Sequence, residues 1–124
     1  MISVIETVPH DPGAFTQGLE IFNGILFEST GLYGHSGLRK VDTTDGSVIS
    51  QVSIHGTYFG EGITIFNNSV IMLTWRNGTA LIFDCEDLSV EGDFSYQGEG
   101  WAICFNGDCL QHVIYTHLTP AAKY

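Results

Sequence analysis

Three polar side chains stand directly before a glycine in similar surroundings: Gln17, Glu61 and Glu99. Aromatic residues accompany them, with Phe15 and Phe59 two places upstream of Gln17 and Glu61, and Trp101 two places beyond Glu99. Trp75 and Trp101 are the only tryptophans of the chain. A polar residue that recurs at the start of an apolar run needs a partner or a task, because burying it unbonded is costly. If Phe15, Phe59, Trp75 and Trp101 wall in Glu61, the loss of solvent raises its pKa towards neutrality, where a general acid/base must sit. The plainer alternative puts all three polar residues at the wet mouth of a channel, marking only where strands begin. Glu28, in Phe27-Glu28-Ser29-Thr30, is a second candidate carboxylate for a substrate site; its plainer role is hydrogen bonding at a strand end. Pro9-His10-Asp11-Pro12 reads as a rigid turn, in which His10 is a candidate base whose plainer role is bonding within the turn.

Other chemistries leave no trace. There is no HExxH spacing, no GxSxG elbow and no Gly-Lys-Ser/Thr phosphate loop. The three cysteines, Cys85, Cys104 and Cys109, lie in the last third without a second pair for zinc. No metal and no cofactor is therefore expected. Fourteen Asp and Glu against four Lys and Arg give a formal charge of −10. Nucleic acid and anionic membrane, which need basic surface, are excluded as expected partners. No apolar run approaches the ~20 residues that span a bilayer. Residues 1–8 lack the basic and apolar regions of a signal peptide, whereas Asn67-Asn68-Ser69 and Asn77-Gly78-Thr79 are sequons that suit secretion.

The elements that must hold these residues follow from a repeat. Phe15-Thr-Gln17-Gly18-Leu19-Glu-Ile21-Phe22-Asn23 returns 44 residues later as Phe59-Gly-Glu61-Gly62-Ile63-Thr-Ile65-Phe66-Asn67. A looser copy, Gly98-Glu99-Gly100-Trp101 to Asn106, follows after a further 38. Within each unit short strands are separated by turn residues such as Asn23-Gly24, Asp45-Gly46 and Asn67-Asn68. No helix is expected. Four short strands per ~40 residues describe a blade of a β-propeller. A β-sandwich also accepts such strands, but only a propeller brings the first strand of every unit to one axis. The blade-like units are 15–58, 59–97 and 98–124, about two and a half blades in 124 residues. A ring needs about four or more, so residues 1–8 are expected to form a strand pairing with a C-terminal blade beyond residue 124.

Seven ordered motifs then carry a resemblance. They are Pro9-His-Asp-Pro12, Ala14-Phe-Thr-Gln-Gly-Leu19, Phe27-Glu-Ser-Thr-Gly-Leu-Tyr-Gly34, Leu38-Arg39 with Val41-Asp42, Phe59-Gly-Glu-Gly-Ile-Thr64, Leu73-Thr-Trp75 and Gly98-Glu-Gly-Trp101. Over residues 8–110 the chain resembles the plant- and bacterial-type glutaminyl-peptide cyclotransferases. The resemblance implies a five-bladed propeller that turns the N-terminal glutamine of peptides into pyroglutamate and releases ammonia without catalytic zinc. By motif, Glu61 matches the catalytic glutamate, and Phe15, Gln17 and Trp75 match substrate-pocket positions. Glu28 and Trp101 complete the expected substrate-binding set. The family is often secreted. The chain departs from the pattern at Ala102, where the family usually has glycine, and after Leu110, where the tail no longer aligns. With the second half of the ring and its pocket-lining Asn and Lys positions outside these 124 residues, the isolated chain is expected to be inactive or nearly so. Two rivals stand beside the enzyme: a propeller segment that only binds peptide or protein, and a half-propeller completed by a second copy.

Overall fold

The computed structural model describes residues 1–114 and the backbone of 122–123, with side chains described through residue 111. The tail that departs from the family pattern lies largely outside the described residues. The described chain is all-β. Strands β1 (Thr16–Phe22), β2 (Ile25–Thr30), β3 (Gly37–Asp42) and β4 (Val48–Ser53) form one antiparallel sheet in chain order. A second sheet follows in the same order: β5 (Gly60–Phe66), β6 (Ser69–Thr74), β7 (Thr79–Asp84) and β8 (Val90–Ser95). Strands β9 (Gly100–Phe105), β10 (Leu110–Ile114) and β11 (Ala122–Lys123) begin a third.

The repeat is visible in the backbone. Both first hairpins close with two residues at positive φ, Asn23 and Gly24 at 50° and 75°, Asn67 and Asn68 at 54° and 63°. That is the two-residue turn whose twist suits paired strands, and Asn and Gly tolerate it best. In both four-stranded sheets the third strand ends on an aspartate whose carboxylate accepts from the following turn, Asp42 from the Thr44 N–H and Asp84 from the Glu86 N–H, both at 2.7 Å. Gly46 and Leu88 hold equivalent left-handed positions at φ 75° and 61°.

Apolar faces stack the sheets like leaves. Phe27, Leu38, Ile63, Met72 and Phe83 fill the space between the first and second sheets. Ile71, Leu73, Ala80, Tyr96 and Ile103 fill that between the second and third. The second sheet is thus covered on both faces, which is why β6 reads Val70-Ile-Met-Leu73 rather than as an alternation. Strands β1, β5 and β9 run side by side along the inner edge. A Cβ on Gly18 would lie 2.7 Å from the Ile63 nitrogen, and one on Gly62 would lie 2.7 Å from the Trp101 carbonyl. Three stacked sheets whose first strands converge make a partial β-propeller and not a sandwich.

Residues 2–8 pair with no strand of the described chain, and residues 1–7 are exposed throughout. A strand is stable only beside a partner's row of backbone donors and acceptors, and this segment makes its first close approach at Val8 and Pro9, against Gly46.

Candidate active site

The strand starts of β1, β5 and β9 and the strand ends of β2 and β6 gather at one mouth. Phe15, Phe59, Trp75 and Trp101 form a continuous ladder there. Successive ring centroids are 6.2, 5.5 and 5.9 Å apart, with interplanar angles of 87°, 64° and 63°. These edge-to-face contacts are the arrangement that aromatic quadrupoles favour. Tyr33 joins from the side, its ring 5.4 Å from that of Phe59. The sequence hinted at Tyr33 only through the glycines around it; Gly34 takes a φ of 79° to turn the loop. Gly31 has a different reason to be glycine, since a side chain there would collide with the Phe59 ring and approach Gln17 Cγ to 3.1 Å. Phe15, Gln17, Trp75 and Trp101 are therefore brought together at one mouth.

Gln17 and Glu61 both sit on β-bulges. Pairing between β1 and β2 slips between Thr16 and Gly18, and pairing between β5 and β6 slips between Gly60 and Ile63. Between β9 and β10 it slips opposite Trp101. A bulge re-aims a side chain that an even ladder would point elsewhere. Glu61 is 3% exposed, and burial alone pushes its carboxyl up to about 7. Ser29 fixes the bulge by donating its hydroxyl to the Glu61 carbonyl at 2.6 Å, inside the protein. Glu99, the third recurring polar residue, differs: it accepts from the Trp75 indole N–H at 3.3 Å and pairs with Arg76 at 3.4 Å.

Glu28 belongs to another cluster. Its carboxylate, in a residue 1% exposed, lies 2.6 Å from His10 Nε2, accepts from Thr16 Oγ1 at 2.8 Å and faces Arg39 Nε at 3.3 Å. Arg39 also reaches Asp11 at 3.1 Å. The Gly13 backbone N–H, with the Arg39 guanidinium, holds Asp11 below the usual carboxylate range. Glu28 thus ties the 9–12 turn to the first sheet through His10, Thr16 and Arg39. A cavity of about 480 Å³ opens at the opposite end of the strands, between Phe22, Phe27, Lys40 and Cys85, away from the ladder. Among the described residues no group of three or more His, Cys, Asp or Glu converges as a metal-ligand set.

The buried carboxyl of Glu61 on its bulge and the aromatic ladder thus share the strand-start end of a partial propeller. The model of the glutamine cyclotransferase family matches residues 1–113, and the chain belongs to that family. It is 41% identical over 111 residues to a glutaminyl-peptide cyclotransferase of Arabidopsis thaliana, covering 88% of this chain and 35% of the relative. The glutaminyl cyclase of Myxococcus xanthus superposes with a TM-score of 0.80 at 29% identity, over 90% of this chain and 47% of that one. The β-propeller domain of Myceliophteria thermophila Cps50 superposes at 0.64 with 7% identity, a likeness of fold alone. The chain thus spans about a third of the curated relative and under half of the solved cyclase.

Proposed function

We propose that this chain carries the acid/base half of a glutaminyl-peptide cyclotransferase site, acting on peptides that begin with glutamine. One observation carries the reading: Glu61, buried on its bulge at the mouth the ladder lines, has a carboxyl that changes charge near pH 7. The substrate's α-amine attacks its own γ-carboxamide carbon, closing a five-membered ring as the C–N bond to the amide nitrogen breaks. Nucleophile and electrophile are already tethered, so holding the folded-back side chain against aromatic walls supplies much of the rate. Phe15, Trp75 and Trp101 are the walls, and Gln17 hydrogen-bonds the amide. What remains is proton transfer. Glu61 takes one proton from the α-ammonium (pKa about 7.7–8.0) and delivers it to the departing nitrogen, which leaves as ammonia, then takes the second proton that the new ring nitrogen must shed and releases it to solvent.

Further blades, and a strand over residues 2–8 pairing with the last of them, belong to the same reading. The test is ammonia release from a Gln-initiated peptide by the purified chain, beside Glu61→Gln. Turnover that the substitution abolishes supports the proposal. Turnover that survives it removes Glu61 from the chemistry. Peptide binding without turnover in the wild type makes the chain a binding module.

A further inference from the structure

Trp75 is held by groups that the proposed chemistry does not use. The Arg76 guanidinium lies over its ring, 3.9 Å from Cζ to the centroid. The indole N–H donates to Glu99 Oε2 at 3.3 Å, and Arg76 Nε closes the triangle to Glu99 Oε1 at 3.4 Å. Arg76 lies just after β6 and Glu99 just before β9, so the triangle joins the second sheet to the third. The backbone reinforces the joint, with the Gly100 N–H donating to the Trp75 carbonyl at 2.9 Å.

As an ion pair this arrangement does little for folding. The two side chains are 62% and 36% exposed, and exposed pairs are screened by solvent and salt. Its geometric effect is larger. An indole has two side-chain torsions, and a cation stacked on the ring plus an acceptor at its N–H restrain both. We propose that Arg76 and Glu99 are positioning residues that lock Trp75 as a fixed wall of the peptide site. Glu99, the third copy of the recurring polar residue, thereby serves the wall while Glu61 serves the proton. The word peptide rests on the proposed function; the locking rests on geometry alone.

In a Trp101→Phe background Trp75 is the sole tryptophan, so fluorescence anisotropy and acrylamide quenching of the full chain report its indole. Glu99→Ala is expected to raise the quenching constant about twofold or more and to lower the anisotropy, as a released side chain moves on the nanosecond scale. Glu99→Gln, which keeps an acceptor for the indole N–H, restores most of the parent value. Arg76→Lys keeps the charge without the planar stack and falls between. If Glu99→Ala loses its β-sheet circular dichroism, the Gln and Lys variants decide, and the Lys variant must be quenched more than the parent. Unchanged quenching and anisotropy in folded Glu99→Ala and Arg76→Ala chains overturn the proposal. A Gln-initiated dipeptide titrated onto the Glu61→Gln chain is expected to bind about fivefold more weakly when Glu99→Ala is added. A chain that neither binds nor converts the peptide sinks the functional reading, while the quenching comparison still decides the locking.

Discussion

At the scale of single residues, the same physics gives two glutamates different work. Glu61 is desolvated, and this holds its carboxyl at about 7, up from 4.5. Glu99 is engaged by an indole and a guanidinium. A proton shuttle between Glu61 and the substrate amine needs one proton shared by the two. With both protonated the amine cannot attack, and with neither protonated Glu61 holds no proton ready for the leaving nitrogen as its C–N bond breaks. For a site completed by the further blades, the kcat/KM profile is therefore expected to be bell-shaped, with limbs near pH 7 from Glu61 and near 7.7–8.0 from the amine. A profile that keeps rising through pH 9 would remove Glu61 as the shuttle. Glu61→Gln should lower turnover about a hundredfold or more, the usual contribution of a positioned acid/base.

At the scale of elements, close approach of the inner strands is what sets the ladder. A Cβ on Gly62 would meet the Trp101 carbonyl at 2.7 Å and Ala102 Cα at 2.8 Å, both backbone atoms that cannot step aside. Gly62→Ala is expected to destabilise the chain by roughly 1–3 kcal/mol, the usual cost of overpacking. Gly92→Ala, with nothing within 4 Å of the new carbon, is the control and should leave the urea midpoint nearly unchanged. Ser29→Ala leaves the buried Glu61 carbonyl without its donor and should cost roughly 1–3 kcal/mol in the same measurement. Most of these strands were legible in the repeat, because Asn-Gly and Asn-Asn hairpins and the Gly of each first strand answer to local backbone demands. The segment 2–8 is different in kind, since a strand is defined by its partner and not by its own residues. The site divided in the same way. Glu61, Phe15 and Trp75 followed from their place in the repeat. The surroundings of Glu28 were not legible, because they come from His10 and Arg39, 18 and 11 residues away in sequence. The clamp of Glu99 on Trp75 spans 24 residues and had no local signature.

At the scale of the whole molecule, three sheets share two interfaces, and the outward face of the first leaves Leu19, Ile21 and Ile49 between 52% and 67% exposed. A propeller covers such a face with the sheet of a neighbouring blade. The carboxyls spread over these sheets also set how stability responds to pH, and they pull in opposite directions. Asp11, Asp42 and Asp87 lie below the ordinary carboxylate value because backbone and side-chain donors favour their charged forms. Their contribution is present above the ordinary value of 3.8 and is lost as pH falls through their lower folded values. Glu61 is raised, so its contribution is complete below 4.5 and is lost as pH rises through about 7. The formal charge of −10 adds a repulsion of its own to the folded chain. Stability is therefore expected to be greatest near the acid end of the range pH 5–8 and to fall by roughly 1–3 kcal/mol across it, as carboxyl burial of this size implies. Urea midpoints across that range test this, and Glu61→Gln separates the causes. Its curve should run flatter than the wild type and lie above it at pH 8. Parallel curves would mean that surface charge, and not the buried Glu61, sets the slope.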